Sequence, residues 1–172
     1  MAIRPQPISG VSVDRETIMM TVYPSVAATA VGRLLGSLYD SIPVRVFGMR
    51  LSRLLFPLPT APVALLIYLL QKIAGVRYVL TNRSLQVWKS LGSTLIREVS
   101  LSDVAEIDIH QLPGQEFYRA GDLVMLSAGG DPLLTLGGIP QPDVFRRTIL
   151  EARDAGRQVA ASLAAIQARQ SA

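Results

Sequence analysis

The stretch "YVLTNRSLQVW", Tyr78–Trp88, decides how this sequence is read. Two short runs rich in Val, Leu, Tyr and Trp flank Thr81-Asn82-Arg83-Ser84, the pattern of two strands about a tight turn. Asn82 tolerates positive φ and is the expected pivot. Everything upstream is apolar and punctuated by proline, so a β domain is expected to open here.

Downstream, turn signals recur about every ten residues, the mark of a small antiparallel sandwich or barrel. Gly92-Ser93 leads into "TLIREVSL". Ile107 and Ile109 alternate with Glu106, Asp108 and His110, and Gly129-Gly130-Asp131 joins two further runs. The period then changes. Phe145, Ile149, Ala152, Gly156, Val159 and Leu163 fall on one helical face, with Arg146, Arg147, Arg153 and Arg157 opposite. Pro142 suits the first helical position, and Asp143 complements the helix dipole.

Upstream the chain is greasier. Leu54–Gln71, "LLFPLPTAPVALLIYLLQ", carries no charge over about the length of a bilayer core. Pro57, Pro59 and Pro62 are expected to break its first half, leaving "VALLIYLLQKIAG" as an uninterrupted helix too short to span alone. Before it, "SIPVRVFGMRLSRLLF" reads as a basic amphipathic helix: Arg45, Arg50 and Arg53 on one arc, apolar residues opposite. Such a helix lies in the membrane interface with its arginines reaching headgroups. Arg45, Arg50, Arg53, Leu54, Leu55, Phe56, Tyr68, Lys72 and Arg77 are therefore the candidate membrane-interface residues.

Composition narrows the function. Of 172 residues 49% are hydrophobic and only 17% charged, against about 25% charged in an average soluble domain. The excess must be buried in lipid or in a partner. The net charge is +4, but the cations are spread without a dense run, and four Phe with one Trp make no stacking platform for single strands. Nucleic acid is not an expected partner. No cysteine is present, which excludes disulfides, thiolate zinc sites and Cys nucleophiles. The N-terminal residues show no apolar core of a secretory signal.

No catalytic, cofactor-binding or metal-binding residue is assigned. His110, the single histidine, sits at period two with Glu106 and Asp108, the solvent face of a strand rather than a metal-binding edge. A Ser-His-Asp triad built on it has no G-x-S-x-G elbow. Glu116 and Asp122 are ordinary loop and turn acids. "SAGGDP" and "LGGIP" lack the spacing and lysine of a phosphate cradle. Arg83, Trp88, Phe117, Tyr118, Arg146 and Arg147 are candidate surface or partner residues.

The words "YVLTNRSL" (78–85), "VSLSDVAEIDI" (99–109), "AGDLVML" (120–126) and "GGIPQPDVFRRTI" (137–149) resemble the bacterial pleckstrin-homology-like (PH-like) domains of the membrane-associated type. The resemblance implies a mainly β fold with helices: a strongly bent seven-stranded antiparallel barrel capped by a C-terminal amphipathic helix and preceded by an apolar helical membrane segment. The expected division is a flexible tail over 1–23, the apolar segment over 24–75, the barrel and helix over 76–165, and a tail over 166–172. The resemblance further implies a non-catalytic binding or scaffold module in the inner membrane of a bacterium. Its barrel would face the cytoplasm and contact lipid headgroups, a protein partner or further copies of itself. Eukaryotic relatives that grip phosphoinositides use a basic cluster between the first two strands. Here that loop is the turn at Asn82-Arg83, which offers only Arg83, so a specific inositol-phosphate pocket is not expected. The alternative is a soluble or oligomeric assembly domain whose apolar hairpin is buried in protein.

Overall fold

The computed structural model describes residues 16–41, 45–46, 49–50 and 55–170. The strands are β1 (Ile18–Val22), β2 (Arg45–Val46), β3 (Met49–Arg50), β4 (Val76–Thr81), β5 (Ser84–Lys89), β6 (Leu95–Ser100), β7 (Glu106–His110), β8 (Ala120–Leu126) and β9 (Pro132–Pro140). The helices are α1 (Ala30–Asp40), α2 (Pro57–Ala74) and α3 (Pro142–Gln170). A four-stranded antiparallel sheet runs β1-β4-β5-β6 and a three-stranded one β7-β8-β9, while β2 and β3 pair with each other.

Inward side chains of both sheets meet in one core of Leu80, Leu85, Ile107, Leu123, Met125, Leu136 and Ile139. Strand β8 shows the alternation this requires, burying Ala120, Leu123 and Met125 while Asp122, Val124 and Leu126 stay half-covered. Helix α3 closes the core with Phe145, Ile149 and Ala152. Its start at Pro142, with Asp143 in the first turn, is as expected.

Several expectations are corrected. The sheets form two separate hydrogen-bonded ladders, not a closed barrel. Seven strands line the core unit, but one of them, β1, lies within the stretch expected to be a tail. Its residues pair with β4 from Ile18 opposite Thr81 to Val22 opposite Tyr78. The apolar segment is therefore inserted between the first two strands of the sheet rather than appended to it. The connection between those strands is residues 23–75, not the turn at Asn82-Arg83, so the small size of that turn does not count against an inositol-phosphate pocket.

Asn82 is not the pivot either. Among the described residues, positive φ outside glycine occurs at Arg119 and Gln141. The β4–β5 turn is held instead by the Thr81 hydroxyl, which accepts from the backbone N–H of Arg83 (3.2 Å) and Ser84 (2.8 Å). That is the side-chain turn Ser and Thr favour.

Helix α2 begins at Pro57, earlier than the prolines suggest. Pro57 and Pro59 fall in the first turn, where backbone N–H groups have no helical partner to lose, and only Pro62 lies inside. Where a basic amphipathic helix was expected, Arg45–Val46 and Met49–Arg50 form short paired strands. Arg53 and Leu54 lie outside the described residues. Helix α3 continues to Gln170, past the expected end of the domain. Its stripe stops working after Ala152, because Gly156 is exposed and Val159 and Leu163 are only half-buried.

No helix among the described residues is long and apolar enough to cross a membrane. The apolar helical membrane segment that the resemblance implies, and with it a transmembrane helix, is therefore not found: α2, with its 18 residues, spans about 27 Å at 1.5 Å per residue.

Candidate functional site

Helix α2 is the outstanding surface feature. Among the described side chains of α2, none belongs to the buried core. Thr60, Ala64, Ile67 and Gln71, spaced four, three and four apart, are half-buried against the protein. Tyr39 of α1 and Thr60 share a hydroxyl–hydroxyl hydrogen bond, and the Gln71 amide donates to the Ser25 carbonyl at 3.2 Å. The remaining faces point outward. Leu58 is 86% exposed, Leu65 58%, Leu66 57% and Ile73 59%, with Val63, Leu69 and Leu70 similarly open. At 100° per residue these side chains sweep an arc of about 160°, wider than the stripe by which a helix packs on one neighbour.

The rim of this arc has its own chemistry. The Lys72 ammonium stands 4.8 Å from the Tyr23 ring centre and 5.6 Å from that of Tyr68. Leu55 is exposed just before α2, and Phe56, half-buried, is its N-terminal cap. Of the candidate interface residues, Leu55, Tyr68 and Lys72 are thus brought to one surface. Arg77 is not. Its guanidinium donates to the Gly92 carbonyl at 3.3 Å and lies 6.0 Å from the Trp88 ring, bracing the β4–β5 hairpin.

The candidate partner residues are scattered. Arg83 is exposed at the β4–β5 turn, Trp88 is half-buried and donates to the Gln86 side chain at 2.9 Å, and Arg146 and Arg147 sit on the first turns of α3. Phe117 and Tyr118, expected at the surface, are half-buried beneath α1. The Phe117 and Tyr39 ring centres are 4.6 Å apart. Burial, with Tyr39 nearby, pushes the Tyr118 hydroxyl up to about 12.

Two polar networks escaped sequence reasoning because they join distant segments. Gln115 is fully buried; its amide donates to Asp122 Oδ1 at 2.7 Å, and the same oxygen accepts from the Gly138 N–H at 2.7 Å. Asp122 sits where the β8–β9 register shifts, and its carboxylate bridges the irregularity. Asp122→Ala is expected to lower the unfolding free energy by about 1–3 kcal/mol, the usual loss when buried donors are orphaned. Urea denaturation measures it.

The second network is at Glu16. Its Oε1 accepts from the Thr81 hydroxyl (2.6 Å), the Ser84 hydroxyl and the Gln86 amide (3.3 Å). These hydroxyl bonds, Ser84 first and Thr81 second, hold the Glu16 carboxyl below its ordinary 4.5. A carboxyl with a depressed folded value stabilises the fold above the unfolded value and loses that contribution as pH falls through the folded one. The protection of β1 amides, taken relative to their intrinsic exchange rates, is therefore expected to fall selectively as pH drops below 4.5, and Glu16→Gln should remove that pH dependence.

The grooves of the sheet unit are shallow and chemically mixed. One, of about 430 Å³, is lined by Glu106, Ser127, Arg146 and Arg153; another, of about 340 Å³, by Arg83, Ser100, Ser102 and Arg157. Arg153 is committed to the Val104 and Ala105 carbonyls and to Asp154. His110, exposed at the end of β7, lies opposite Asp122 in the ladder. No group of three or more metal-ligating side chains occurs among the described residues.

A family model described as bacterial PH domain matches residues 26–153. Comparison with curated proteins gives no match. The match runs from the helical insertion through strands β4 to β9 and ends just past Ala152, where α3 leaves the core, so the chain belongs to the bacterial PH domain family.

Proposed function

We propose that this protein is a non-catalytic binding module seated on a bacterial membrane, with α2 immersed in the bilayer interface and the two sheets standing clear in the aqueous phase. The observation that carries this reading is the exposed apolar arc of α2. Contiguous apolar surface beyond a few hundred Å² is rare on monomeric soluble proteins. The breadth of the arc favours lipid, which wraps a helix, over a protein groove, which grips a stripe. Tyr23, Tyr68 and Lys72 along its edge are the residue types enriched at the headgroup level.

A helix of this length docked along one side by Thr60 and Gln71 suits partial immersion better than crossing. The family resemblance supports the cytoplasmic face as the side on which the sheets stand, and membership in a PH-like family supports binding rather than catalysis. The sheet unit then offers its outer surface to a protein or to headgroups.

Flotation with vesicles of phosphatidylethanolamine and phosphatidylglycerol tests the reading. The full chain should float with the vesicles, and more strongly than with phosphatidylcholine alone. Protein that stays at the bottom of the gradient as a dispersed species in water would overturn it.

A further inference from the structure

Between Asp40 and Glu98 the sequence holds no aspartate or glutamate, and both of its lysines, Lys72 and Lys89, fall in that stretch. The fold brings the two lysines to one corner. Lys72 lies in the last turn of α2. Lys89 ends β5 directly opposite Val76, which opens β4 two residues after α2 ends. Carboxylates gather farther along the sheet instead. Glu16 and Glu98 both accept from the Gln86 amide, three residues, or about 10 Å, along the strand from Lys89.

The turn beyond Lys89 is tied to the same corner. The Ser90 N–H donates to the carbonyl of Gly75, the residue that caps α2, at 2.9 Å. The Arg77 guanidinium donates to the Gly92 carbonyl on the other side of the turn. Between these anchors Leu91 is 70% exposed. A single exposed leucine is ordinary on a protein surface. This one is held against the end of the apolar arc that runs through Leu66, Leu69 and Ile73, with no carboxylate on α2, β4, β5 or the turn itself.

We infer that the β5–β6 turn is a second membrane contact: Leu91 enters the interface of an anionic bilayer, and Lys89 meets lipid phosphates alongside Lys72. The inference rests on the lipid reading of α2 and fixes what that reading leaves open, the attitude of the sheets. They stand on their β5–β6 end, with the β4–β5 turn, at the opposite end of β5, held away in water. An apolar tip between lysines, on elements without carboxylates, complements a negative headgroup layer. The leucine contributes burial, and each lysine close to the surface adds attraction.

The absence of cysteine makes the test clean. A solvent-sensitive fluorophore on Leu91→Cys in the full chain should shift to the blue with vesicles of phosphatidylethanolamine and phosphatidylglycerol, and brominated acyl chains should quench it. The same fluorophore on Arg83→Cys should do neither. Leu91→Asp should weaken partitioning at least about fivefold, and Leu91→Trp should preserve it, since Trp favours the interface. Lys89→Gln should weaken it about fivefold on phosphatidylglycerol-containing vesicles and leave phosphatidylcholine unchanged. Both side chains are exposed, so melting temperatures in water should not move. If the chain floats while the label at position 91 stays in water, or Leu91→Asp floats as well as the parent, this inference falls and the lipid contact of α2 stands. A chain that does not float at all overturns both.

Discussion

Replacing Leu66 and Leu69 together by aspartate is expected to release the protein from phosphatidylglycerol-containing vesicles while leaving its folding stability intact. Both side chains lie on the open arc of α2, about half exposed, and neither is part of the core. In water the substitutions remove little packing, and surface changes of this kind usually alter stability by no more than about 0.5 kcal/mol. On the membrane each change forfeits the burial of the exposed half of a leucine, about 0.8–1.5 kcal/mol. It also asks a carboxylate to enter the interface beside anionic lipid. Two such losses amount to at least about tenfold in partitioning, since 1.4 kcal/mol is tenfold. Flotation measures the first effect and thermal unfolding the second. If α2 were an ordinary core helix, the order would reverse: large destabilisation and little specific change in vesicle binding.

Gly138→Val is expected to give the opposite signature, a heavy loss of stability through the joint between insertion and sheets. Gly138 has φ +63°, a conformation that a β-branched residue enters only under strain. A Cβ there would stand 2.6 Å from the Ala28 nitrogen and 2.7 Å from its Cα. The Ser25 N–H donates to the Gly138 carbonyl at 2.8 Å, so the same residue both receives and touches the start of the helical segment. Relief requires the 26–28 turn to move away. Backbone strain of about 1–2 kcal/mol and overpacking of about 1–3 kcal/mol together predict a loss of roughly 2–5 kcal/mol. For a chain of this size that is a fall in melting temperature of about 4–20 °C. Calorimetry reads it directly, and Thr135→Val, on the exposed side of the same strand, is the control that should change little.

The parts of this fold written in local pattern were legible. The β4–β5 and β8–β9 hairpins, the alternation of β8 and the onset of α3 at Pro142 each depend on neighbours within a few residues. Strand β1 was not legible. Four of its five side chains are exposed, so no alternation marks it, and its partner β4 lies more than fifty residues on. Pro57 and Pro59 were misread because a proline's cost depends on position: in the first turn of α2 they forfeit nothing.

The surface showed the same split. The apolar run over residues 54–71 announced an excess of hydrophobic surface, and the structure leaves much of α2 uncovered. Gln115 gave no signal at all, since its role comes from meeting Asp122 and Gly138 across two loops. Gly36 and Gly114 are similar. A Cβ on Gly36 would stand 2.0 Å from the Gly114 carbonyl oxygen, a close approach of α1 to the 112–119 loop that no spacing in the sequence reveals.

The central claim is that lipid, not protein or water, covers the outer arc of α2. Spin labels on single cysteines at positions 58, 66 and 73 of the otherwise cysteine-free chain, in phosphatidylglycerol-containing vesicles, test it most directly through relaxation by dissolved oxygen and by a water-soluble nickel chelate. The expected result is strong oxygen contact with weak nickel contact at all three, and the reverse at position 83 on the hairpin turn. Strong nickel contact along α2, or labels there shielded from both reagents, would contradict it.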